Sequence, residues 1–146
     1  MLAVGFAEHD QGLQTKACVT FGALTMTAAE TFALKDAVRR PRPFAACPDQ
    51  IIVKEANLPT DYSFPSGHTS MAFAAATSLS LAVPEWYVIA PSFLYAGAAG
   101  YSRMYLGVHY PGDVLTGAVI GSGTAFLSFK IQKWLNRRSS ARLNNY

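Results

Sequence analysis

Prolines decide where this chain can be helical. Pro41, Pro43, Pro48 and Pro59 crowd one stretch, while Pro65, Pro84, Pro91 and Pro111 punctuate the rest. Proline lacks a backbone N–H and its ring clashes with the preceding turn, so it suits a helix start and stops a helix elsewhere. The intervals between are apolar, rich in Ala, Leu, Phe, Ser and Thr, and show little strand-like alternation. The expected fold is all-α. A first helix covers residues 16–38, with Glu30 interrupting its apolar run, and Pro41 and Pro43 stop it. Residues 41–64 form a long connection of the kind that is often functional. A second helix opens at Pro65-Ser66-Gly67-His68 and runs to about Val83. The third spans Trp86 to about Met104 and carries the small run Ala96 to Gly100. The fourth starts near Pro111 and runs to Phe129, with Gly117 and Gly121 spaced for close approach of a neighbour. The tail after Trp134 reads as polar and frayed.

Four such helices joined by short turns make an up-down bundle. The end of the first, the start of the second, the end of the third and the start of the fourth then share one end. The opposite end receives the Pro84-Glu85 turn and both termini. The expectation is a helical bundle of about four core helices with every candidate catalytic group at one end.

That end would collect Lys35, Arg42, Ser66, Gly67, His68, Arg103, His109 and Asp113. Asp113 lies close enough in sequence to reach back to one imidazole nitrogen of His109, leaving the other free as base or nucleophile. An arginine fork beside such a histidine points to a phosphate oxyanion. Three cations suit a tetrahedral anion, and the backbone N–H groups at Ser66-Gly67-His68 add a helix N-terminus. His68 is then placed to act as general acid. No His/Asp/Glu cluster has metal-ligand spacing, so no metal is expected. Each piece alone has a plainer reading. The cluster Lys35, Arg39, Arg40 and Arg42 also reads as a solvated helix end, Ser66 as a simple N-cap, and His68 as a first-turn surface residue.

The 146 residues read as one domain, residues 1–146, with a catalytic core of about 16–134 and a basic tail, 135–146. Residues 130–146 hold Lys130, Lys133, Arg137, Arg138 and Arg142 and no acid, whereas residues 1–129 carry a slight acidic excess. A basic tail is not the basic face that nucleic acid requires, so no nucleic-acid partner is expected. Two cysteines, Cys18 and Cys47, are too few to decide a redox compartment, and their pairing stays open. His9 reads as a solvated residue, and residues 1–10 lack the pattern of a signal peptide, as at the front of a truncated chain. Glu30, Ser/Thr and Gly dilute all four apolar segments. The leaning is therefore to a soluble or membrane-associated periplasmic domain, with an integral inner-membrane protein as the alternative. If the helices span, the basic tail belongs inside, which again puts the site outside the cytoplasm.

Lys35, six residues, then Arg42-Pro43; Pro65-Ser66-Gly67-His68; and Ser102-Arg103, five residues, His109, three residues, Asp113: these three patterns stand in the order of the type 2 phosphatidic acid phosphatase signatures. The chain resembles that family, which includes lipid phosphatases, bacterial acid phosphatases and vanadium haloperoxidases. The resemblance implies that His109 is nucleophile, His68 general acid and Asp113 the orienting carboxylate. It assigns Lys35, Arg42, Ser66, Gly67 and Arg103 to phosphate. Arg40-Pro41 makes a second Arg-Pro pair, but only Arg42 has the family spacing from Lys35. The expected activity is metal-independent hydrolysis of a phosphomonoester or pyrophosphate, of a lipid or small molecule, through a phosphohistidine at a membrane surface. No cofactor is implied, with vanadate as an inhibitor. The alternatives are a haloperoxidase with vanadate as cofactor and a non-catalytic phosphate- or lipid-binding module. The departure from the family is length: there is room for only one long helix before the first signature.

Overall fold

A computed structural model describes residues 11–49, 51, 53–54 and 58–143; His9 and the rest of the first ten residues lie outside it. The elements are α1 (Gln11–Val38), α2 (Pro43–Ala46), α3 (Gly67–Ala82), α4 (Trp86–Tyr105) and α5 (Pro111–Leu143). The described residues contain no strand. Pro43 and Pro111 each occupy the first position of a helix, and Val83 caps α3 just before Pro84. At the end of α1, Arg39 takes a left-handed conformation (φ 50°), and its N–H donates to the Lys35 carbonyl at 2.9 Å. That turn sends Arg40 to Pro43 back across the end of the bundle.

Two boundaries differ from expectation. The long connection contains the short helix α2. The tail is not frayed after Trp134, because α5 continues to Leu143. No Gly or Pro follows Gly123 to stop it, and its late cations favour a helix C-terminus. Arg138 also lays its guanidinium over the Trp134 ring, 3.8 Å from the centroid and one turn away.

The core is built from small residues. Ala23, Ala74, Ala96 and Ala125 are fully buried, whereas Phe21, Phe32, Trp86, Leu94, Leu115 and Val119 face outward. Helices α3 and α5 approach backbone to backbone. A Cβ on Gly117 would lie 2.7 Å from the Ser66 carbonyl oxygen, and one on Gly121 only 2.0 Å from that of Ser70. Close contact through small residues is how helices pack where lipid removes the hydrophobic drive between them. The stretches Gly12–Ala46 and Pro111–Arg138 are long and apolar enough to cross a membrane, and their apolar windows are only 22% and 17% buried. A soluble protein would bury such helices. This corrects the leaning towards a soluble domain: Glu30 does not break α1, because Thr124 Oγ1 donates to its carboxylate at 2.6 Å across the α1–α5 contact.

Helix α1 packs on α3 and α5; α4 packs on α3 and, over a smaller area, on α5. Helices α1 and α4 do not contact each other, so a cleft remains between them over one face of α3. The up-down order brings all three signatures to one end of that cleft. At the other end, Lys16 Nζ donates to the last carbonyl of α3, Ala82 O, at 2.9 Å. Cys18 and Cys47 are both exposed and unbonded to each other, which settles the pairing left open by the sequence.

Candidate active site

Arg42 and His109, 67 positions apart, meet in the centre of the site. Arg42 Nη1 lies 3.2 Å from His109 Nε2 and also donates to the Val108 carbonyl at 2.9 Å. A guanidinium has no acceptor, so Nε2 must carry the lone pair and Nδ1 the proton. The tautomer follows from this one contact. Val108 and His109 are buried in the turn between α4 and α5, and Gly107 makes that turn with φ 74°.

Asp113 stands behind the ring and is fully buried. Its Oδ2 lies 3.6 Å from His109 Nδ1, beyond hydrogen-bonding distance, and buried Nδ1 has no partner within hydrogen-bond geometry. The nearer partners of Asp113 are others. Ser63 Oγ donates to Oδ2 at 2.5 Å, Tyr110 N–H donates to Oδ2 at 3.0 Å, and Arg40 Nη1 pairs with Oδ1 at 2.9 Å. The Tyr110 contact is the backward half of a capping box, reaching from the third residue of α5 to the cap. Asp113 therefore faces His109 as expected, but as part of a network that also anchors the start of α5.

Lys35, Arg42, Gly67, His68, Arg103 and His109 all line one cavity of about 910 Å³. Ser66 does not. It is fully buried, its N–H donates to the Asp113 carbonyl at 3.0 Å, and its hydroxyl pairs with Thr69 Oγ1 at 2.9 Å. Its polar groups tie α3 to α5, leaving Gly67 as the signature residue at the helix start that lines the cavity. His68, in the first turn of α3, is exposed towards the opening. Below the polar end the cavity wall becomes apolar, with Leu24, Ala28 and Phe32 from α1 facing Tyr95 and Ala98 from α4.

The electrostatics are set by crowded cations. The His109 pKa is lowered from 6.5 to about 4 by burial first, then by Arg42 and Lys35; Asp113 and the Ser63 main chain pull upward less strongly. At neutral pH the ring is uncharged, and its contact with Asp113 is a neutral imidazole facing a carboxylate rather than an ion pair. Asp61 bridges Lys35 Nζ at 2.8 Å and Arg42 Nη2 at 2.5 Å. Burial alone would raise the Asp61 pKa, but hydrogen bonds and charge from Lys35 and Arg42 outweigh it and hold the carboxyl below its ordinary value.

Comparison with known proteins places this arrangement. Residues 16–137 match the PAP2 superfamily. The chain belongs to the PAP2 superfamily. An undecaprenyl-diphosphatase of Sulfolobus acidocaldarius is 45% identical over 74 residues, 51% of this chain and 35% of that protein. The crystal structure of Aquifex aeolicus LpxE superposes with a TM-score of 0.67 at 36% identity, covering 86% of this chain and 72% of LpxE. A transmembrane PAP2-type phosphatidylglycerolphosphate phosphatase of Bacillus subtilis gives 0.67 at 25% identity, covering 80% of this chain and 58% of that one. The chain thus spans about a third of the curated relative it matches over 74 residues.

Within this PAP2 chain, sequence reasoning missed Asp61, Ser63 and Arg40. Arg40 was set aside for its spacing, yet it pairs with Asp113 and stacks its guanidinium 3.9 Å above the Tyr110 ring. The available signal was position: Asp61 and Ser63 immediately precede the Pro65-Ser66-Gly67-His68 signature, and Arg40 lies inside the first.

Proposed function

We propose that this chain carries the active site of a metal-independent phosphatase that removes a phosphoryl group from a lipid-linked phosphomonoester or diphosphate through a phosphohistidine. The observation that carries the reading is the His109 Nε2 lone pair, held 3.2 Å from Arg42 Nη1 at the polar end of an otherwise apolar cavity.

Neutral His109 is the nucleophile. Its Nε2 attacks phosphorus, the Nε2–P bond forms, and the bond to the lipid oxygen breaks. Charge on the equatorial oxygens is met by Lys35, Arg42, Arg103 and the N-terminus of α3 at Gly67, usually the largest single contribution in such sites. His68 gives its proton to the departing oxygen. The phosphorylated ring is cationic and keeps its proton on Nδ1, where the Asp113 carboxylate stabilises it; a contact of 3.6 Å is of the kind that tightens only when charge develops. Water then attacks phosphorus, loses its proton to His68 and breaks the Nε2–P bond, releasing inorganic phosphate. No step is assigned to a metal or cofactor, and vanadate acts as an inhibitor at the same cations. Ser66 supports the site from beneath through Thr69 and the α5 main chain.

A lipid substrate fits the cavity's change of character from cations to Leu24, Ala28, Phe32 and Tyr95 along the α1–α4 cleft. The outward face of large apolar side chains suits a bilayer, so the helices span rather than rest on it. The basic end of α5 then lies in the cytoplasm and the site on the outer, periplasmic side. Polyprenyl diphosphates, lipid A phosphates and phosphatidylglycerol phosphate are the substrate class suggested by the relatives' names. The deciding experiment uses detergent-purified protein with EDTA and a terminally ³²P-labelled lipid substrate. Inorganic phosphate should be released, and a rapid acid-free quench should trap label on His109. Turnover by His109→Ala at the native rate would remove the reading.

A further inference from the structure

Asp61 has no part in the chemistry above, yet its carboxylate sits on two of the cations assigned to phosphate. One oxygen is 2.8 Å from Lys35 Nζ and the other 2.5 Å from Arg42 Nη2. Both cations are buried, whereas the Asp61 side chain is 48% exposed at the cavity wall. A two-oxygen anion therefore occupies the ammonium and guanidinium nitrogens that face the cavity.

We propose that Asp61 is a built-in competitor for phosphate: its carboxylate holds the Lys35–Arg42 part of the anion site, yields it to an incoming substrate phosphoryl group, and retakes it to expel inorganic phosphate. The proposal rests on the phosphatase reading, in which those two cations receive the phosphoryl oxygens.

Three observations favour a competitor over a brace. The cations are already positioned by main-chain oxygens. Arg42 Nε donates to the Asp61 carbonyl at 2.9 Å, Arg42 Nη1 donates to the Val108 carbonyl at 2.9 Å, and Lys35 Nζ donates to the Tyr62 carbonyl. Removing the carboxylate leaves those bonds in place. Next, Asp61 lies in the non-helical stretch before α3 and is half exposed, so its carboxylate regains water when it lets go. A fully buried carboxylate would lack that exchange. Finally, the lowered pKa keeps Asp61 ionised at neutral pH, so the competitor carries its charge when the enzyme works.

The competition separates substrate from product. It weakens every phosphoryl group equally at Lys35 and Arg42. A lipid substrate has additional affinity from its chain against Leu24, Ala28 and Phe32, which inorganic phosphate lacks. Asp61 thus lowers product inhibition while the lipid still binds.

The test is Asp61→Asn, with Asp61→Ala as a second variant that does not depend on the amide's own hydrogen bonds. Inhibition constants for inorganic phosphate and orthovanadate are measured against lipid-phosphate hydrolysis, together with the rise in melting temperature that added phosphate produces. Both variants should bind inorganic phosphate roughly three- to tenfold more tightly, the size expected for losing a partly exposed ion-pair competitor. The phosphate-induced rise in melting temperature should grow with it. Unchanged or weaker phosphate affinity in both variants, with a wild type that hydrolyses lipid phosphate, overturns the competitor and leaves the phosphatase reading intact. A wild type that neither hydrolyses lipid phosphate nor binds phosphate or vanadate overturns both.

Discussion

Asp113→Asn tests how a buried carboxylate acts at a distance from the reacting atom. The substitution keeps the shape but turns one oxygen into an NH2 donor. Placed at Oδ2, that donor faces the Tyr110 N–H and the Ser63 hydroxyl; placed at Oδ1, it faces Arg40. One charge-assisted contact is lost in either orientation, at about 1.5–3 kcal/mol. The loss from Arg40 is discounted, because that side chain is 40% exposed and regains water. The expected destabilisation is about 2–4 kcal/mol, visible as a melting temperature roughly 5–15 °C lower. The rate effect has a separate origin. Asp113 Oδ2 lies 3.6 Å from His109 Nδ1, so it contributes little to a neutral ring and most to the cation formed on phosphorylation. The corresponding swap in a serine-protease triad costs ~10⁴ in rate; the longer contact here predicts a kcat loss of roughly 10²–10⁴. Vanadate affinity should change far less, because Lys35, Arg42 and Arg103 are untouched. The assay measures kcat on a lipid phosphate, the vanadate inhibition constant and melting temperature on the same preparation. A variant that melts earlier but keeps kcat within about threefold would reduce Asp113 to a cap for α5, since charge stabilisation of this kind is worth far more.

Further expectations follow from the same geometry. The acid limb of kcat/KM that reports His109 should fall near pH 4, and a limb near 6.5 would mean the ring is not desolvated by the cations. Folding stability has a matching window. The unfolded chain binds a proton at His109 that the folded one refuses, so the contribution is complete above about pH 6.5, is lost as pH falls towards 4, and is flat below; a calorimetric pH series checks it. His68→Ala should slow lipid alkoxide leaving groups more than a p-nitrophenolate, whose departure needs no proton, and equal losses on both substrates would remove His68 as general acid. Gly121→Ala places a methyl 2.0 Å from the Ser70 carbonyl oxygen and should cost at least about 3 kcal/mol by forcing α3 and α5 apart. Gly97→Ala meets nothing within 4 Å and should be neutral or stabilising by up to about 1 kcal/mol, so similar melting curves for the two variants would contradict the packing.

Helix positions and the shared end were legible in the chain itself, because the signals that set them act over a few residues. Pro43 and Pro111 start helices, Pro84 follows the cap of α3, and Gly117 and Gly121 mark where α3 and α5 touch. Alternating direction then forces Lys35, Arg42, His68, Arg103 and His109 together whatever the details of packing. The end of α5 was misread because polarity was taken for fraying, while the absence of Gly and Pro and the Trp134–Arg138 contact keep the helix going. Only tertiary structure could show that large apolar residues face outward and alanines inward. Apolar residues surround these helices on nearly every side, so no periodic stripe announces which face is core. Only tertiary structure, too, could bring in Arg40 and Ser63, which meet Asp113 from 73 and 50 positions away, and Asp61, which reaches back 26 positions to Lys35. Those contacts form across the connection between α1 and α3, where no helical period fixes the direction of a side chain. The path of that connection over the bundle end is decided by the cations and carboxylates already assembled there.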